Sequence, residues 1–474
     1  MRIAVVGGSA AGMFTALLLA RDGHDVVVVD RDDVSPSSDV DEAAASAFRA
    51  AAPQIVQPHG ILSLCRELMR EWLPDVYKRS IRAGIAEAPL AEQLPPTLPR
   101  ENREGDERLT AIRTRRSTFD WVLRQVAAEQ PDVRILRSSV RQLVSEADLG
   151  GVPRITGVAT DDGPIAADLV VDASGRRGQI DGWLDTLHAR PAPLEQAECG
   201  LAYYSRHYVL TTYDGLPAPA TSRVVAELPE FTAGLWGGDN GTMQMAICPL
   251  VEDKRFRTVT DVDVYTNVLR RIGPLAPWLD VLQPITDIYA MGGLHNTLRR
   301  LVDDQGPIIA GLVGVGDIVC CTNPTLGRGL SLALQNAVDL VDAVRETGGD
   351  PAAVVSTFDD RVTAHVEPFF RDQARTDAAR LAALRANHAG ASLPTPPVDP
   401  GRVTFAELRA AAAWDADVFR ACFSLMGMLV RPDDVYTDPQ VVERARAVLR
   451  DAPPAAMVAG PSHEQLTETL SAVG

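Results

Sequence analysis

The pattern of apolar and polar positions at the start of the chain predicts a strand, a helix and a second strand. Apolar residues fill positions 3–6, a stretch rich in leucine and alanine follows at 11–22, and valines occupy 26–29. An unbroken run of β-branched residues is typical of a strand buried on both faces of a parallel sheet. The chain is therefore expected to begin with a βαβ unit.

The remaining elements follow from helical spacing and from short alternating runs of apolar residues. Helices are predicted over residues 61–84, 117–129, 262–272, 329–346, 351–385, 405–429 and 439–450. Strands are predicted over residues 133–136, 143–145, 158–160, 169–171, 200–210, 224–226, 242–247 and 308–315. The runs between 200 and 247 indicate antiparallel strands, whereas 308–315 indicates a buried parallel strand.

The order of these elements predicts an α/β protein in three parts. A Rossmann-like nucleotide-binding domain with a parallel sheet is expected over residues 1–181 and 304–350. A substrate domain built on an antiparallel sheet is inserted at 182–303, and a helical region follows over 351–474.

Composition narrows the class of partner and the compartment. A net charge of −17 over 474 residues disfavours nucleic acid as a partner. Six cysteines are scattered without a CxxC pair, so no metal site is expected. The same pattern predicts that the protein is located in a reducing cytoplasm. No apolar run is long enough to cross a bilayer, so no membrane span is predicted.

A glycine-rich turn joins the first strand to the first helix, with the sequence Gly-Gly-Ser-Ala-Ala-Gly over residues 7–12. Gly7 permits a tight turn, and Gly12 lets the helix approach the sheet closely. The free N–H groups at the helix N-terminus would attract a pyrophosphate. We therefore expect Gly7, Ser9, Ala11 and Gly12 to bind a dinucleotide, with ribose hydroxyls donating to Asp30 at the end of the second strand.

A second glycine-rich segment lies far along the chain. Residues 311–318 read Gly-Leu-Val-Gly-Val-Gly-Asp-Ile, and 323–329 read Asn-Pro-Thr-Leu-Gly-Arg-Gly before a predicted helix. Asp317 would bond a ribityl or ribose hydroxyl. The backbone of Gly327 and Gly329, with the helix dipole, would stabilise negative charge on a reduced ring, and Pro324 would stiffen the loop against the ring face.

Together these segments resemble the FAD-dependent monooxygenases of the aromatic-hydroxylase type. Those proteins pair an N-terminal dinucleotide fold with a distant Gly-Asp-x6-Pro-x2-Gly-x-Gly loop, which residues 316–329 match. Residues 116–121 resemble the family's R-x-x-L-[DE] helix start, and residues 168–176 its middle D-x-V-V-x-A-D-G motif. The segments 53–62 and 204–208 are similar to a subgroup that contains bacterial polyether epoxidases.

The resemblance implies a set of site residues. Those expected to bind FAD are Gly7, Ser9, Ala11, Gly12, Asp30, Arg31, Arg116, Val140, Gly316, Asp317, Gly327 and Gly329. Those expected beside the reacting part of the flavin are Pro324, Gly327 and His59. A hydrogen-bonded loop histidine is the alternative for His59. Arg116 is expected to point at the cofactor, and the neighbouring Arg115 to point to solvent.

Six side chains of the inserted domain fall on alternating strand positions and are the candidates for contact with substrate: Tyr204, Arg206, Tyr208, Trp236, Met243 and Met245. Alternate apolar residues on a strand also form cores, so packing inside the domain is the competing interpretation. The methionines and the 5% aromatic content indicate a hydrophobic substrate.

The reaction implied by the resemblance is monooxygenation. Reduced flavin would react with O2 to form a C4a-hydroperoxide that hydroxylates or epoxidises a small hydrophobic molecule, as in secondary metabolism. Ser174 stands where the middle motif usually has Asp, so NAD(P)H is expected to donate electrons either directly or through a separate flavin reductase.

Three alternatives remain open at this level. The Asp-Ala-Ser-Gly-Arg sequence at 172–176 is similar to that of FAD-dependent reductases or dehydrogenases that act on C=C bonds. A flavin halogenase is disfavoured, because the chain has no Trp-x-Trp-x-Ile-Pro segment and its two lysines, Lys78 and Lys254, lie outside family-like settings. A non-catalytic flavin-binding or redox-sensing protein is the third.

Overall fold

The computed structural model describes residues 1–49, 52–146, 151–217, 223–392, 399–451 and 458–472. The strands of this part of the chain are β1 Arg2–Val6, β2 Asp25–Asp30, β3 Gly60–Ile61, β4 Ala86–Pro89, β5 Thr110–Arg113, β6 Val133–Arg137, β7 Val140–Glu146, β8 Arg154–Thr160, β9 Gly163–Ala166, β10 Leu169–Asp172, β11 Leu194–Glu198, β12 Tyr203–Leu210, β13 Arg223–Glu227, β14 Phe231–Gly237, β15 Thr242–Pro249, β16 Leu282–Pro284, β17 Tyr289–Met291, β18 His295–Arg299, β19 Val302–Asp303, β20 Gly306–Pro307, β21 Leu312–Gly314 and β22 Cys320–Cys321.

The α-helices of the same part of the chain are α1 Ala10–Arg21, α2 Val40–Ala45, α3 Ser63–Trp72, α4 Pro74–Arg82, α5 Leu90–Gln93, α6 Arg116–Glu129, α7 Ile180–Thr186, α8 Val262–Arg270, α9 Gly329–Thr347, α10 Pro351–His365, α11 Glu367–His388, α12 Phe405–Ala412, α13 Ala416–Met426, α14 Pro432–Tyr436, α15 Pro439–Asp451 and α16 His463–Ser471. None of them is long and apolar enough to cross a membrane.

A five-stranded parallel sheet forms the centre of the nucleotide-binding part, in the order β21-β10-β1-β2-β6. Its central strands are buried on both faces because helices cover the sheet, which explains the run of valines in β2. Helices α1 and α9 pack together on this sheet. The predicted α/β fold with an initial βαβ unit is therefore confirmed, and β21 places the second glycine-rich segment beside the first.

The inserted part is built on an antiparallel sheet in the order β13-β14-β15-β12-β16, with β17 also paired to β12. One face of this sheet, which we call the core face, packs on α8, on the segment Lys254–Thr260 and on α16. The opposite face, which we call the site face, makes hydrogen bonds to residues 57–59 and to Asn323 of the nucleotide-binding part. Helix α16 thus returns from the end of the chain to complete the core of the inserted sheet.

Three predicted helices are interrupted in the structure. The helix expected over 61–84 breaks between α3 and α4 at Pro74, and the helix expected over 351–385 breaks between α10 and α11 just before Pro368. Proline lacks the N–H of a helical hydrogen bond and disfavours helical geometry in the residue before it. The helix expected over 405–429 is divided where the side chain of Asp415 caps α13.

Candidate functional site

The first glycine-rich turn leaves no room for side chains at its two ends. Gly7 has φ +107°, and a Cβ built there would lie 2.6 Å from the carbonyl oxygen of Ala173. A Cβ on Gly12 would lie 1.8 Å from the carbonyl oxygen of Gly7. Ser9 precedes the first turn of α1, and its side chain does not cap the helix. The N–H groups at this helix end are thus held close to the carboxyl edge of the sheet.

Asp30 lies at the end of β2, and its carboxylate binds the backbone of this turn. Its Oδ2 accepts a hydrogen bond from the Gly8 N–H at 2.5 Å, and its Oδ1 accepts one from the Asp32 N–H at 2.7 Å. The side chain is almost fully buried. Asp30 is therefore positioned by the two backbone segments between which the sugar of a dinucleotide would lie.

Arg31 and Val140 lie at the same end of β2. Arg31 is exposed, and Val140 begins β7 next to Ser138, whose N–H donates to the Asp30 carbonyl at 2.8 Å. A groove near this edge is lined by Asp32, Asp33, Val34, Ser35, Pro36, Ala128, Val133, Ile135 and Arg137.

Two arginines that sequence reasoning missed gather beside the turn. Arg49 donates from Nη2 to the Ser9 hydroxyl at 3.0 Å, and its Nη1 lies 3.9 Å from Asp30 Oδ2. Burial lowers the pKa of Arg124, and the nearby charge of Asp120 opposes this shift. Within the described part of the chain, Arg49 Nε and the Nε and Nη2 of Arg124 are buried without a hydrogen-bond partner.

Such unpartnered guanidinium groups fit an anionic cofactor group. A buried N–H without an acceptor is unfavourable, and guanidinium binds phosphate through paired hydrogen bonds. An FAD pyrophosphate at the turn would supply the missing acceptors. Arg124 stands two helical turns after Arg116 on α6, a spacing that places both on one helix face. That spacing is the signal from which Arg124 could have been found, whereas nothing in the sequence around Arg49 marks it.

Arg116 and Arg115 have different surroundings, and one expectation was wrong. Arg116 is buried and donates from Nε to Asp120 Oδ1 at 2.5 Å. Burial raises the pKa of Asp317 and the charge of Arg116 opposes that rise, so this arginine lies near the second glycine-rich segment. Arg115, expected to point to solvent, is 3% exposed and pairs with the fully buried Asp239, with Nη2 2.8 Å from Oδ1. The inserted sheet supplies this carboxylate and thereby draws Arg115 inward.

The two glycine-rich segments touch each other at Gly316. This residue has φ +71°, and a Cβ built there would lie 2.8 Å from the Cβ of Ala11. Burial raises the pKa of the neighbouring Asp317. A Cβ on Gly329, the first residue of α9, would lie 3.9 Å from Asp317 Oδ1. Gly316, Asp317 and Gly329 are therefore adjacent to the N-terminal turn, as the resemblance implies.

The loop of residues 323–329, which we call the flavin loop, approaches the chain around β3. Pro324 is exposed and begins a 3-10 turn that ends at Gly327, which has φ +70°. A Cβ on Gly327 would lie 3.5 Å from Leu62 Cδ2 and 4.0 Å from the Gly60 carbonyl oxygen. A side chain at Gly327 would therefore contact the segment after His59.

His59 is held between the nucleotide-binding part and the inserted sheet. Its Nδ1 lies 2.8 Å from the Gln57 carbonyl oxygen, so Nδ1 carries the proton. Its backbone N–H donates to Gln244 Oε1 at 3.1 Å, and Gln244 Nε2 donates back to the His59 carbonyl at 3.2 Å. Burial, with the charge of Arg116, lowers the pKa of His59 to about 4, so the ring is neutral near pH 7.

The structure corrects most of the substrate-contacting set. Tyr204, Tyr208, Met243 and Met245 lie on the core face with Phe231, Phe256, Tyr265 and Trp278. Arg206 shares their strand face and donates from Nε to the Thr286 carbonyl at 2.8 Å. These five side chains therefore pack inside the inserted part, because strand alternation turns them away from the flavin loop. Trp236 is opposite Gln244 in the sheet and so lies on the site face.

The site face carries residues that sequence reasoning missed. Ser205 donates to Gln57 Oε1 at 2.7 Å, so it helps Gln244 to hold the segment before His59. His207 follows on the same face; burial lowers its pKa to about 4, and its Nε2 has no partner among the described residues. Tyr289 packs edge-on against His207, with ring centroids 6.5 Å apart. The polar alternation Ser205-x-His207 was the available signal.

Comparison with known proteins finds a family match in the N-terminal part of the chain. Residues 2–90 match the family model described as FAD dependent oxidoreductase. The chain is 25% identical over 368 residues to Protein Rv3254 of Mycobacterium tuberculosis, and the match covers 72% of each.

Two solved structures are similar in fold. PqsL of Pseudomonas aeruginosa, described as a probable FAD-dependent monooxygenase, is 16% identical with a TM-score of 0.58, covering 82% of this chain and 98% of PqsL. The flavin-dependent brominase Bmp2 is 14% identical with a TM-score of 0.61, covering 95% of this chain and 99% of Bmp2. The family match confirms the prediction of an FAD-dependent oxidoreductase, and these structures confirm its fold.

Proposed function

We propose that this protein is an FAD-dependent monooxygenase that hydroxylates or epoxidises a small hydrophobic organic molecule. The observation that carries the proposal is the meeting of three segments: the flavin loop, the residues after His59 and the site face of the inserted sheet. Bound FAD, once reduced, would supply the activation of O2. The chain itself would position the ring, keep water away and orient the substrate.

The ADP half of FAD is assigned to the glycine turn and the arginines beside it. Gly7 and Gly12 admit the close approach, and the unpartnered N–H groups of Arg49 and Arg124 support a pyrophosphate there. We assign the adenosine to the end of β2, where Asp30, Arg31 and Val140 meet. The exposed groove at this edge supports that assignment.

The flavin half is assigned to the edge at which the flavin loop meets the segment after His59. Arg116 and Asp317 would bond polar groups of the ribityl chain and ring, and the N–H groups around Gly327 would face the ring edge. His59 is proposed as an acceptor rather than an acid, since Nδ1 holds its proton and Nε2 is left as the accepting atom.

The substrate is proposed to lie against the site face. Ser205 and Gln244 are already engaged with the segment before His59, whereas Trp236 and Tyr289 remain partly exposed. Two half-buried aromatic rings, of which Tyr289 packs beside the neutral His207, favour an uncharged, largely apolar molecule. The division into domains at 182 and 304, and the use of NAD(P)H directly or through a separate flavin reductase, remain predictions.

Isotope labelling tests the reaction. We would incubate purified protein under 18O2 with FAD, a reductant and a set of apolar aromatic and polyene compounds. The masses of the products would be measured by mass spectrometry. We expect one labelled oxygen atom in the product. Turnover that proceeds without O2, or product free of label, would refute oxygen transfer.

A reductase that acts on C=C bonds is the second candidate, and one observation favours it. Asp172, fully buried under the glycine turn, accepts from the N–H and the hydroxyl of Ser174 at 2.9 and 2.5 Å. The Asp-Ala-Ser-Gly sequence therefore forms a closed local unit instead of offering an acidic side chain at position 174. Anaerobic product formation would favour this candidate. A halogenase is disfavoured because Lys78 and Lys254 are both exposed.

A further inference from the structure

A buried polar network lies behind the flavin loop and starts at Asp377 on α11. Asp377 is fully buried, and its carboxylate accepts hydrogen bonds from three side chains. Asn296 Nδ2 donates at 2.8 Å, Arg380 Nη1 at 2.8 Å, and Gln373 Nε2 at 3.2 Å. The carboxylate is thus surrounded by N–H groups from its own helix and from β18.

The network continues into the flavin loop by two routes. On the first, Asn296 Oδ1 accepts from the backbone N–H of Asn323 at 2.7 Å. On the second, Arg380 Nη1 donates to Thr325 Oγ1 at 3.0 Å. The Tyr203 hydroxyl of the site face also donates to Asn323 Oδ1. Side chains from α11, β18 and β12 therefore converge on the two residues that flank Pro324.

We propose that Asp377 is a positioning residue of the flavin site: through Asn296 and Arg380 it holds residues 323–325 in the conformation that presents Pro324 and Gly327 to the cofactor. The inference rests on the proposed location of the flavin. It concerns residues that touch neither cofactor nor substrate, and it makes the helical C-terminal region part of the flavin site.

The direction of the hydrogen bonds supports this role. Asn296 has one orientation only, because its oxygen is needed by the Asn323 N–H and its NH2 group by Asp377. If an amide replaced Asp377, its NH2 group would face a donor from either Asn296 or Arg380. Flipping Asn296 would move the conflict to Asn323. A mismatched donor at position 377 therefore disturbs the hydrogen bonds of the loop, because no local rearrangement of Asn296 removes it.

The directions of these hydrogen bonds also define a double variant that should restore the network. In the double variant Asn296→Asp/Asp377→Asn, the carboxylate at 296 accepts from the Asn323 N–H and from the new amide at 377. The amide oxygen at 377 then accepts from Arg380, so every donor has an acceptor again and the net charge is unchanged. Position 339 supplies a matched control. Asp339 on α9 is 1% exposed and hydrogen-bonded to Gln335 and His365, and within the described part of the chain it makes no hydrogen bond to the flavin loop.

Amide hydrogen exchange of the apoprotein measures the loop directly. We expect Asp377→Asn to speed exchange in peptides covering 322–329 on the order of tenfold, the double variant to restore it, and Asp339→Asn to leave it unchanged. The same variants, loaded with FAD, should show a shifted two-electron midpoint potential in Asp377→Asn and the wild-type value in the double variant. If Asp377→Asn does not fold, Thr325→Val, which leaves Asp377 in place and removes only the loop acceptor of Arg380, should still speed exchange in the loop, and wild-type exchange in this variant would overturn the route through Arg380.

Three outcomes would overturn the inference: a folded Asp377→Asn with wild-type exchange in the loop, an equal effect of Asp339→Asn, or a folded double variant without rescue. Exchange in the apoprotein does not depend on which reaction the flavin supports. A failure of oxygen transfer would therefore leave this inference standing, and its own failure would leave the proposed function untouched.

Discussion

Gly327→Ala is the sharpest test of the flavin loop, because space and backbone conformation can be separated there. A Cβ at this position meets Leu62 Cδ2 at 3.5 Å, which is ordinary contact. The backbone, by contrast, is left-handed, with φ +70° and ψ +19°. The cost of the substitution is therefore conformational, about 1–2 kcal/mol for an L-residue in this region.

Gly348 provides a control with the same conformation. It caps the other end of α9 with φ +61° and ψ +19°, and no described atom lies within 4 Å of a Cβ built on it. Gly348→Ala should therefore lower the free energy of unfolding by a similar amount, about 1–2 kcal/mol. Any difference between the two variants in flavin chemistry then reports on location, since the strain introduced is matched.

We expect both apoproteins to show the same loss in urea unfolding. Only Gly327→Ala should weaken FAD binding, by up to about tenfold if the loop relaxes away from the strained geometry. It should also release H2O2 faster when bound reduced FAD is exposed to O2, because the ring edge is less well covered. Equal FAD affinity and equal peroxide release in the two variants would refute the placement of the loop against the ring.

Three further predictions test other buried charges and the cofactor assignment. Arg115→Ala should destabilise the fold by about 3–5 kcal/mol in denaturant unfolding, because it leaves Asp239 buried without its partner. Arg116→Ala also leaves a buried carboxylate, Asp120, without its partner, but it alone should weaken FAD binding in a fluorescence titration, at least about tenfold for the loss of about 1.5–3 kcal/mol. A larger loss of FAD affinity in Arg115→Ala than in Arg116→Ala would contradict both assignments. The protein should bind FAD but not FMN in calorimetry, since the glycine turn is assigned to the ADP half; equal affinities would remove that assignment. Asp339 raises the pKa of His365, so this pair stabilises the fold below the ordinary histidine pKa of 6.5, and the stabilisation is lost as pH rises through the raised value. His365→Gln should then lower the unfolding midpoint near about pH 6 but not near about pH 9, and a loss of equal size at both would exclude the titration.

Local features of the site could be predicted because their causes lie within short windows of sequence. The valine run of β2 and the glycines at 7 and 12 specify a βαβ turn, since backbone torsion and close approach act on neighbouring residues. The Gly-Asp and Pro-x2-Gly-x-Gly spacing likewise predicts a glycine-rich loop before a helix, and the structure has this loop directly before α9. No long-range information is needed for these conclusions.

Only the tertiary structure decided which residues face the flavin loop. Alternation along β12 defines two faces, but it does not show which face packs on α8. In the structure Tyr204 and Tyr208 lie on the core face, and Ser205 and His207 lie on the site face. The partners of buried charged residues could not be predicted from the sequence either. Arg115 meets Asp239 across 124 positions of sequence. The partner of a buried arginine or carboxylate depends on which distant segments the fold brings together. No periodic pattern in the sequence shows which segments these are.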